Sequence, residues 1–489
     1  ATSPKKPRLV VGTYSQDLGF VRGEAEGTYL VPYPGASSSP RLALPAQIAA
    51  NPSYVAAVAA PDSTADRAVW HVYVVDERAD LPGGGRLLAA RLAWPPEPQN
   101  ASGSSGSGDD ADAGTLTSPE EEVVAPALEP LGPAVACGDT STCYVTVAPR
   151  HVLVANYCGG GASIWGSIAA VSRDPTTGRL AVVSSRGDDD DEASAAADPV
   201  IQAVAPVRAW GDALFPRHEP GCDAARQETS HPHQVVLRGD HVLVPDLGCD
   251  VVWRFEYDDA DVGAPIGAIS VALALQPGDG PRHVAAANGK LYVACELACV
   301  VAIFDDDSHG NKEAPSGGSS RGAPPPALAR VALLEHPTGG PQTTAAAIRV
   351  THNAAYCSLR VVGADGWVCH VALDGDSGLP RDAVTRVSSG GRMPREIQLI
   401  SATGRPTIGS APTEGPLPAD DDADAGLTGT TTSTAPQLVL LAANQDSNSL
   451  VAFDVDAETG ALTRSDEPPL AVPTPVCLVD LDAAVVVGE

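Results

Sequence analysis

Short apolar runs alternate with turn residues along most of the chain, and residues 231–304 show the pattern most cleanly. They read His231-Pro232-His233-Gln234, HVLVPDLGCDVVWRFEY, Gly280-Pro281-Arg282-His283 and KLYVACELACVVAIFD. Two copies of one unit lie back to back. Each opens on a His- or Arg-bearing loop and passes into a strand. A turn on Gly, Asp or Asn follows, then a strand ending in a polar group, then a strand closing on an aromatic. Brief apolar runs bounded by turn residues are the strand signature. The units start at His241 and Lys290, 49 residues apart. A period near 50 with several strands per unit is the signature of a β-propeller.

The unit recurs in longer forms. RLVVGTYSQ begins at Arg8, HVYVVDERAD at His71 and HVLVANYCGGGASIWGSI at His151. After the central pair come AAYCSLRVVGADGWVCHVAL from Ala354 and QLVLLAANQDSNSLVAFDV from Gln437, which makes seven. One four-stranded sheet cannot bury both faces alone, whereas a ring of sheets buries them against each other. The expected fold is all-β: a single seven-bladed β-propeller of four-stranded antiparallel blades spanning residues 1–489. The terminal VDLDAAVVVG is expected to form a strand pair that closes the ring with the N-terminal strand.

Composition agrees. The chain has 489 residues, more than one compact core holds, yet a propeller absorbs that length. There is no convincing amphipathic helix, and no apolar run approaches the ~18 residues of a membrane span. The opening ATSPKKPRLVVG has no apolar h-region, so it is not expected to be a signal peptide. Four low-complexity inserts, 96–125, 185–198, 305–327 and 405–435, hold 22 Asp and Glu but 4 Lys and Arg, hence −18 of the formal net charge of −30. They are expected to be irregular, exposed loops, because they lack apolar surface to offset ordering entropy. The acidic balance argues against a nucleic-acid partner, and nothing marks a membrane partner. The sequence carries no signal for an oligomeric state.

The ten cysteines form no Cys-x-x-Cys pair and are spaced irregularly. Reduced thiols in a cytoplasmic protein are the expectation. Cys295 and Cys299 flank Glu296 without enough further ligands for zinc, and no repeat carries a carboxylate cluster suited to calcium. No metal or cofactor is expected.

In a propeller, each lead-in loop runs into an innermost strand, and each polar strand end sits on the next strand out. His233, Arg282, Glu296 and Arg395 occupy such positions and are expected to converge at one channel mouth. Arginine forks hold carboxylate or phosphate in bidentate fashion, and a His or Glu beside them can move a proton. The set suits a small anionic substrate. The alternative is that the arginines and the glutamate pair with each other as channel salt bridges.

The chain resembles the seven-bladed lactonase family, which includes propeller-type 6-phosphogluconolactonases and fungal 3-carboxy-cis,cis-muconate cyclases. The resemblance rests on VGTYSQ, Asn51-Pro52-Ser53-Tyr54, VANYCGGG at 154–161, His231-Pro232-His233 followed by VPDLGCD, GPRH at 280–283, Glu296-Leu297, Pro394-Arg395 and AANQDSNSLVAFDVDAETGAL. It covers all seven units and skips the inserts. A His, a Glu and two Arg are proposed to form the site in the family's cyclases, and by motif these fall on His233, Glu296, Arg282 and Arg395. His231 is the weaker histidine, because His233 leads directly into the strand. Three positions depart from the family: Cys295 replaces a usual Asn, Ala347 an acidic residue and Leu359 an Asn.

The resemblance implies hydrolysis of an anionic sugar lactone such as 6-phosphogluconolactone, a reaction of the pentose phosphate pathway. Arg282 and Arg395 would hold the anion. His233 or Glu296 would be the catalytic base toward water, with the other residue or an Arg stabilising the oxyanion. A lactonising cyclase acting on a carboxylated muconate and a non-catalytic propeller scaffold are the alternatives.

Overall fold

A computed structural model of the chain describes residues 8–33, 39–64, 66–78, 84–95, 127–159, 166–180, 204–206, 223–306, 324–334, 342–402 and 437–484. Seven antiparallel sheets form one ring, a seven-bladed β-propeller. The inserts predicted at 96–125, 185–198 and 405–435 lie outside the described residues. So does 307–323 of the fourth; its first residue, Asp305, instead ends the strand Val300–Asp305.

The sheets follow one plan. In blade 5 the strands run outward as Pro281–Ala287, Lys290–Cys295, Val300–Asp305 and Ala329–Ala332. Blades 2 and 7 depart slightly. Their outermost strand is split in two, Glu129–Pro130 with Val135–Ala136 and Leu462–Arg464 with Leu470–Ala471. Each of the seven sequence repeats falls on the second strand from the channel, from Leu9–Thr13 in blade 1 to Leu438–Asn444 in blade 7. These second strands are buried along nearly their whole length, because both faces meet a neighbouring blade.

The cores accordingly lie between blades. Tyr292, Val301 and Ile303 pack against Ile348, Cys357 and Cys369 between blades 5 and 6. Tyr356, Val368 and Ile397 meet Leu440 and Phe453 between blades 6 and 7. The predicted ring closure is present. The final strand Pro475–Asp480 pairs with Leu9–Thr13, so the two ends of the chain share blade 1. It takes in Val479 and Asp480 of the expected pair, and the rest of that pair beyond 484 lies outside the described residues. Arg8 supports the closure by reaching the Asp480 carboxylate at 3.3 Å and donating to the Ser401 carbonyl of blade 7.

A second device joins blades at the outer ends of the second strands. Three turns share an Asp-x-x-Thr/Ser-Gly sequence: Asp174–Gly178, Asp374–Gly378 and Asp456–Gly460. In each, the Asp carboxylate accepts the N–H three residues on, and the Gly lies at positive φ. The Gly carbonyl then accepts a tyrosine hydroxyl from the preceding blade. Tyr73 reaches Gly178 at 3.0 Å, Tyr292 reaches Gly378 at 2.7 Å, and Tyr356 reaches Gly460 at 2.8 Å. A Cβ on Gly378 would sit 2.9 Å from the Tyr292 hydroxyl, so the turn needs glycine for space as well as for φ.

All nine described cysteines are free thiols, and Cys222 lies outside the description. No grouping of metal-ligating side chains occurs among the described residues. No described helix is long and apolar enough to cross a membrane.

The turn contacts give a first prediction. Tyr292→Phe removes one inter-blade hydrogen bond and leaves a carbonyl unpartnered, so it should cost about 1–2 kcal/mol in urea unfolding. A midpoint equal to that of the parent would mean that the hydroxyl contributes nothing across the blade boundary.

Candidate functional site

The inner strands begin, and the second strands end, at one mouth of the channel. The register places Pro281 opposite Cys295, Pro394 opposite Asn444, and Pro475 opposite Thr13. At this mouth the ladder slips by one residue. Pro281 pairs with Cys295 but His283 with Ala294, which leaves Arg282 as the extra residue of a β-bulge. Arg395 is the extra residue in blade 7, Cys143 in blade 3 and Val476 in blade 1. A bulge re-aims the side chain of its extra residue. Here all four line a small cavity at the channel axis, together with Ser53 and His233. Arg282 and Arg395, expected on lead-in loops, belong to the inner strands themselves, because the bulge begins inside the ladder.

Proline precedes the inward residue in five blades, as Pro52-Ser53, Pro232-His233, Pro281-Arg282, Pro394-Arg395 and Pro475-Val476. A strand's first residue and a bulge are the places where a sheet tolerates the missing N–H. The residue before proline is left-handed in three of these, Gly280 at φ 60°, Met393 at 54° and Thr474 at 41°. A Cβ on Gly280 would meet Leu297 Cγ at 2.6 Å. Met393 adopts that backbone without glycine's freedom, a local strain at the rim of the site.

Buried aspartates fix the lead-ins. Asp246, at the end of its strand in blade 4, accepts the Ser230 hydroxyl at 2.5 Å, the His231 N–H at 2.7 Å and the Trp253 indole at 3.0 Å. Asp250 accepts the N–H groups of Gly278 and Gly280 at 2.8 and 2.7 Å, which holds the approach to Arg282 from the neighbouring blade.

A cavity of about 520 Å³ opens over this mouth, and the four predicted residues, His233, Arg282, Glu296 and Arg395, all line it. Arg226, Arg360 and Glu77 join them. Both oxygens of Glu296 are held by guanidinium groups. Its Oε1 accepts from Arg226 at 2.7 Å, while its Oε2 lies 3.2 Å from Arg282 and 2.9 Å from Arg360. Burial alone would raise its pKa; the three arginines outweigh it and hold the carboxyl well below the usual range. Burial and the neighbouring guanidinium groups pull Arg360 down to about 10, which leaves it charged at neutral pH.

His233 is buried beside Arg282, whose Nη1 donates to its Nε2. Burial, then Arg282 and Arg395, hold the imidazole well below its ordinary value, so it is neutral. Arg395 has no ion-pair partner among the described residues. Its guanidinium lies over the rings of Tyr14 and Phe20, 5.4 and 5.9 Å from their centroids. On the same wall the Tyr14 hydroxyl donates to Glu77 Oε2 at 2.7 Å. His231 stands outside this set: it stacks on Tyr157 and bonds the Tyr157 carbonyl at 2.9 Å.

Sequence reasoning missed Arg226, Arg360 and Glu77. Glu77 follows the second strand of blade 2 just as Glu296 follows that of blade 5, and Tyr14 and Gln445 hold the same place in blades 1 and 7. That equivalence was a usable signal. Arg226 sits in an irregular segment before blade 4 and carried none. Cys295, Ala347 and Leu359, which depart from the family pattern, are buried in the cores between blades and do not line the cavity. A larger cavity, about 710 Å³, opens at the outer part of blade 4 beside Asp240, Glu256 and Asp258, and no predicted residue reaches it.

Comparison with known proteins fits this geometry. Residues 209–405 match the family described as Lactonase, 7-bladed beta-propeller, a span holding Arg226, His233, Arg282, Glu296, Arg360 and Arg395. A curated relative, the probable 6-phosphogluconolactonase of Arthroderma benhamiae, is 34% identical over 88 residues, which is 18% of this chain and 20% of the relative. Two solved structures share the fold. The periplasmic gluconolactonase of Pseudomonas aeruginosa is 20% identical over 97% of this chain and 98% of its own, with a TM-score of 0.59. A putative 6-phosphogluconolactonase of Bacteroides uniformis is 18% identical over 97% and 98%, with a TM-score of 0.57. The chain resembles the seven-bladed lactonase propellers, as its motifs implied.

The electrostatics yield two predictions. Glu296→Gln leaves three guanidinium groups without their shared carboxylate and should destabilise the fold by about 3–5 kcal/mol, read from denaturant unfolding. The second concerns His233 and His283, both held well below the ordinary imidazole value, by burial first and then by Arg282. Unfolded, they titrate near ~6.5, so below that pH the unfolded chain takes up protons that the fold refuses. Stability should be full above that value and decline as pH falls from it toward the depressed folded values. Both ring nitrogens of His283 are buried without a partner. His283→Phe should therefore flatten the fall in melting temperature between about pH 7.5 and 5.5. An identical fall in the variant would place the acid sensitivity elsewhere.

Proposed function

We propose that this chain hydrolyses a small anionic lactone in the channel-mouth cavity, with 6-phosphogluconolactone the first substrate to test. The observation that carries this reading is charge. Four guanidinium groups, Arg226, Arg282, Arg360 and Arg395, face two carboxylates, Glu77 and Glu296, in one cavity. Its similarity to a probable 6-phosphogluconolactonase and to a gluconolactonase supports ring-opening hydrolysis as the reaction.

The roles follow from which groups are already engaged. Arg395 is free to take the substrate's phosphate or carboxylate, and the rings of Tyr14 and Phe20 keep its guanidinium in place. Arg282 and Arg360 are buried and fixed by Glu296, so they are preorganised donors for the carbonyl oxygen as it gains negative charge. Glu296 gives its Oε1 to Arg226 and its Oε2 to Arg282 and Arg360, and the Nε2 of His233 is taken by Arg282. Glu296 and His233, the two candidate bases read from the sequence, therefore act by positioning Arg282 and Arg360.

Arg395→Ala removes a charge-assisted contact present in ground and transition states alike. It should raise KM by about 10–100-fold and leave kcat within a few-fold. The measurement is lactone hydrolysis corrected for the spontaneous reaction. If the parent protein opens neither 6-phosphogluconolactone nor gluconolactone faster than water does, the reading fails.

A further inference from the structure

We infer that Glu77 is the catalytic base, lining the same cavity as the arginine cluster; this rests on the lactone-hydrolysis reading. Among the described residues two carboxylates line the cavity, and they occupy equivalent places, each just past the end of a second strand. Their surroundings differ. Glu296 has both oxygens bound to guanidinium groups. Glu77 makes no ion pair among the described residues, and its Oε2 receives a single hydrogen bond, from the Tyr14 hydroxyl at 2.7 Å. Its Oε1 has no partner among the described residues and is not one of the buried unpartnered atoms, so it faces the open cavity. Of the two carboxylates, Glu77 is the one with an oxygen lone pair free to take a proton from water.

The position is built rather than incidental. The backbone N–H of Glu77 donates to the Asn51 carbonyl at 2.9 Å, and the Asn51 side chain returns a bond to the Glu77 carbonyl at 3.3 Å. Asn51 also caps the Ser15 and Gln16 N–H groups, which ties Glu77 to the loop that carries Tyr14. Tyr14 is thereby a positioning residue: it orients the Glu77 carboxylate and lies beneath Arg395.

The step balances without a further reactant. Glu77 removes a proton from water as the water oxygen bonds to the lactone carbonyl carbon. The carbonyl electron pair moves onto its oxygen, facing Arg282 and Arg360. The pair returns, the bond from that carbon to the ring oxygen breaks, and the ring oxygen takes the proton from the Glu77 carboxyl. The product is the open hydroxy acid, and Glu77 is again a carboxylate.

The test compares the full-length parent with Glu77→Gln, Glu77→Ala and Tyr14→Phe on 6-phosphogluconolactone and gluconolactone across pH, with calorimetric binding of 6-phosphogluconate alongside. Glu77→Gln keeps an acceptor for Tyr14 and should lower kcat by ~10²–10⁴-fold with KM and product binding nearly unchanged, while the ascending limb of the pH–rate profile disappears. Tyr14→Phe removes a hydrogen bond to the carboxylate and should shift that limb to higher pH. Should Glu77→Ala fail to fold, the Gln variant and the Tyr14 shift still decide. An active parent whose Glu77→Gln variant keeps its kcat, or loses only KM, overturns the assignment of Glu77 alone. A parent that opens neither lactone, yet binds 6-phosphogluconate, overturns the lactone reading and the base assignment with it.

Discussion

Closure of the ring is the constraint on which the rest depends. Strand Pro475–Asp480 completes the blade begun by Leu9–Thr13, so the two ends of the described chain are held in one ladder. Each blade is buried on both faces only because a neighbour stands on either side, and an open ring would expose two sheet faces. Closure also sets the distance across the channel. Arg395 in blade 7 can lie over Tyr14 in blade 1 only because blade 1 follows blade 7 in space.

Given the ring, a single irregularity builds the site. In blades 1, 3, 5 and 7 a β-bulge at the start of the inner strand turns one side chain toward the axis, and the end of the second strand supplies another beside it. Seven copies of one backbone plan thus give a ring of positions whose chemistry is free to differ from blade to blade. Arginine occupies the bulge in blades 5 and 7, cysteine in blade 3 and valine in blade 1. Glutamate occupies the strand end in blades 2 and 5, tyrosine in blade 1 and glutamine in blade 7.

Charge separates the two glutamates despite their equivalent places. Three guanidinium groups around Glu296 make it a fixed counter-ion, and its burial is tolerable only because they are there. Glu77 instead meets a neutral hydroxyl, and the neighbouring cation Arg395 is held over aromatic rings. The cavity therefore holds one carboxylate committed to guanidinium groups and one with an uncommitted oxygen. Such an arrangement suits attack on a polarised carbonyl.

The strand pattern was legible because strand periodicity is local: each HVLV or KLYV run is read within a few residues, and the period near 50 reveals the repeat. His233, Arg282, Glu296 and Arg395 were legible because they sit in the recurring lead-ins and strand ends of that repeat. Arg226 lies in an irregular segment and Arg360 in a mostly apolar strand, so nothing local set them apart. Which lone pairs are engaged is likewise a matter of distance across the ring. Sequence alone determined that the chain forms blades and which positions face the channel, since both follow from short-range pattern. Only the closed tertiary structure decided that Glu296 is sealed among arginines while Glu77 keeps an open oxygen, because those partners come from blades far apart in sequence that meet solely at the axis.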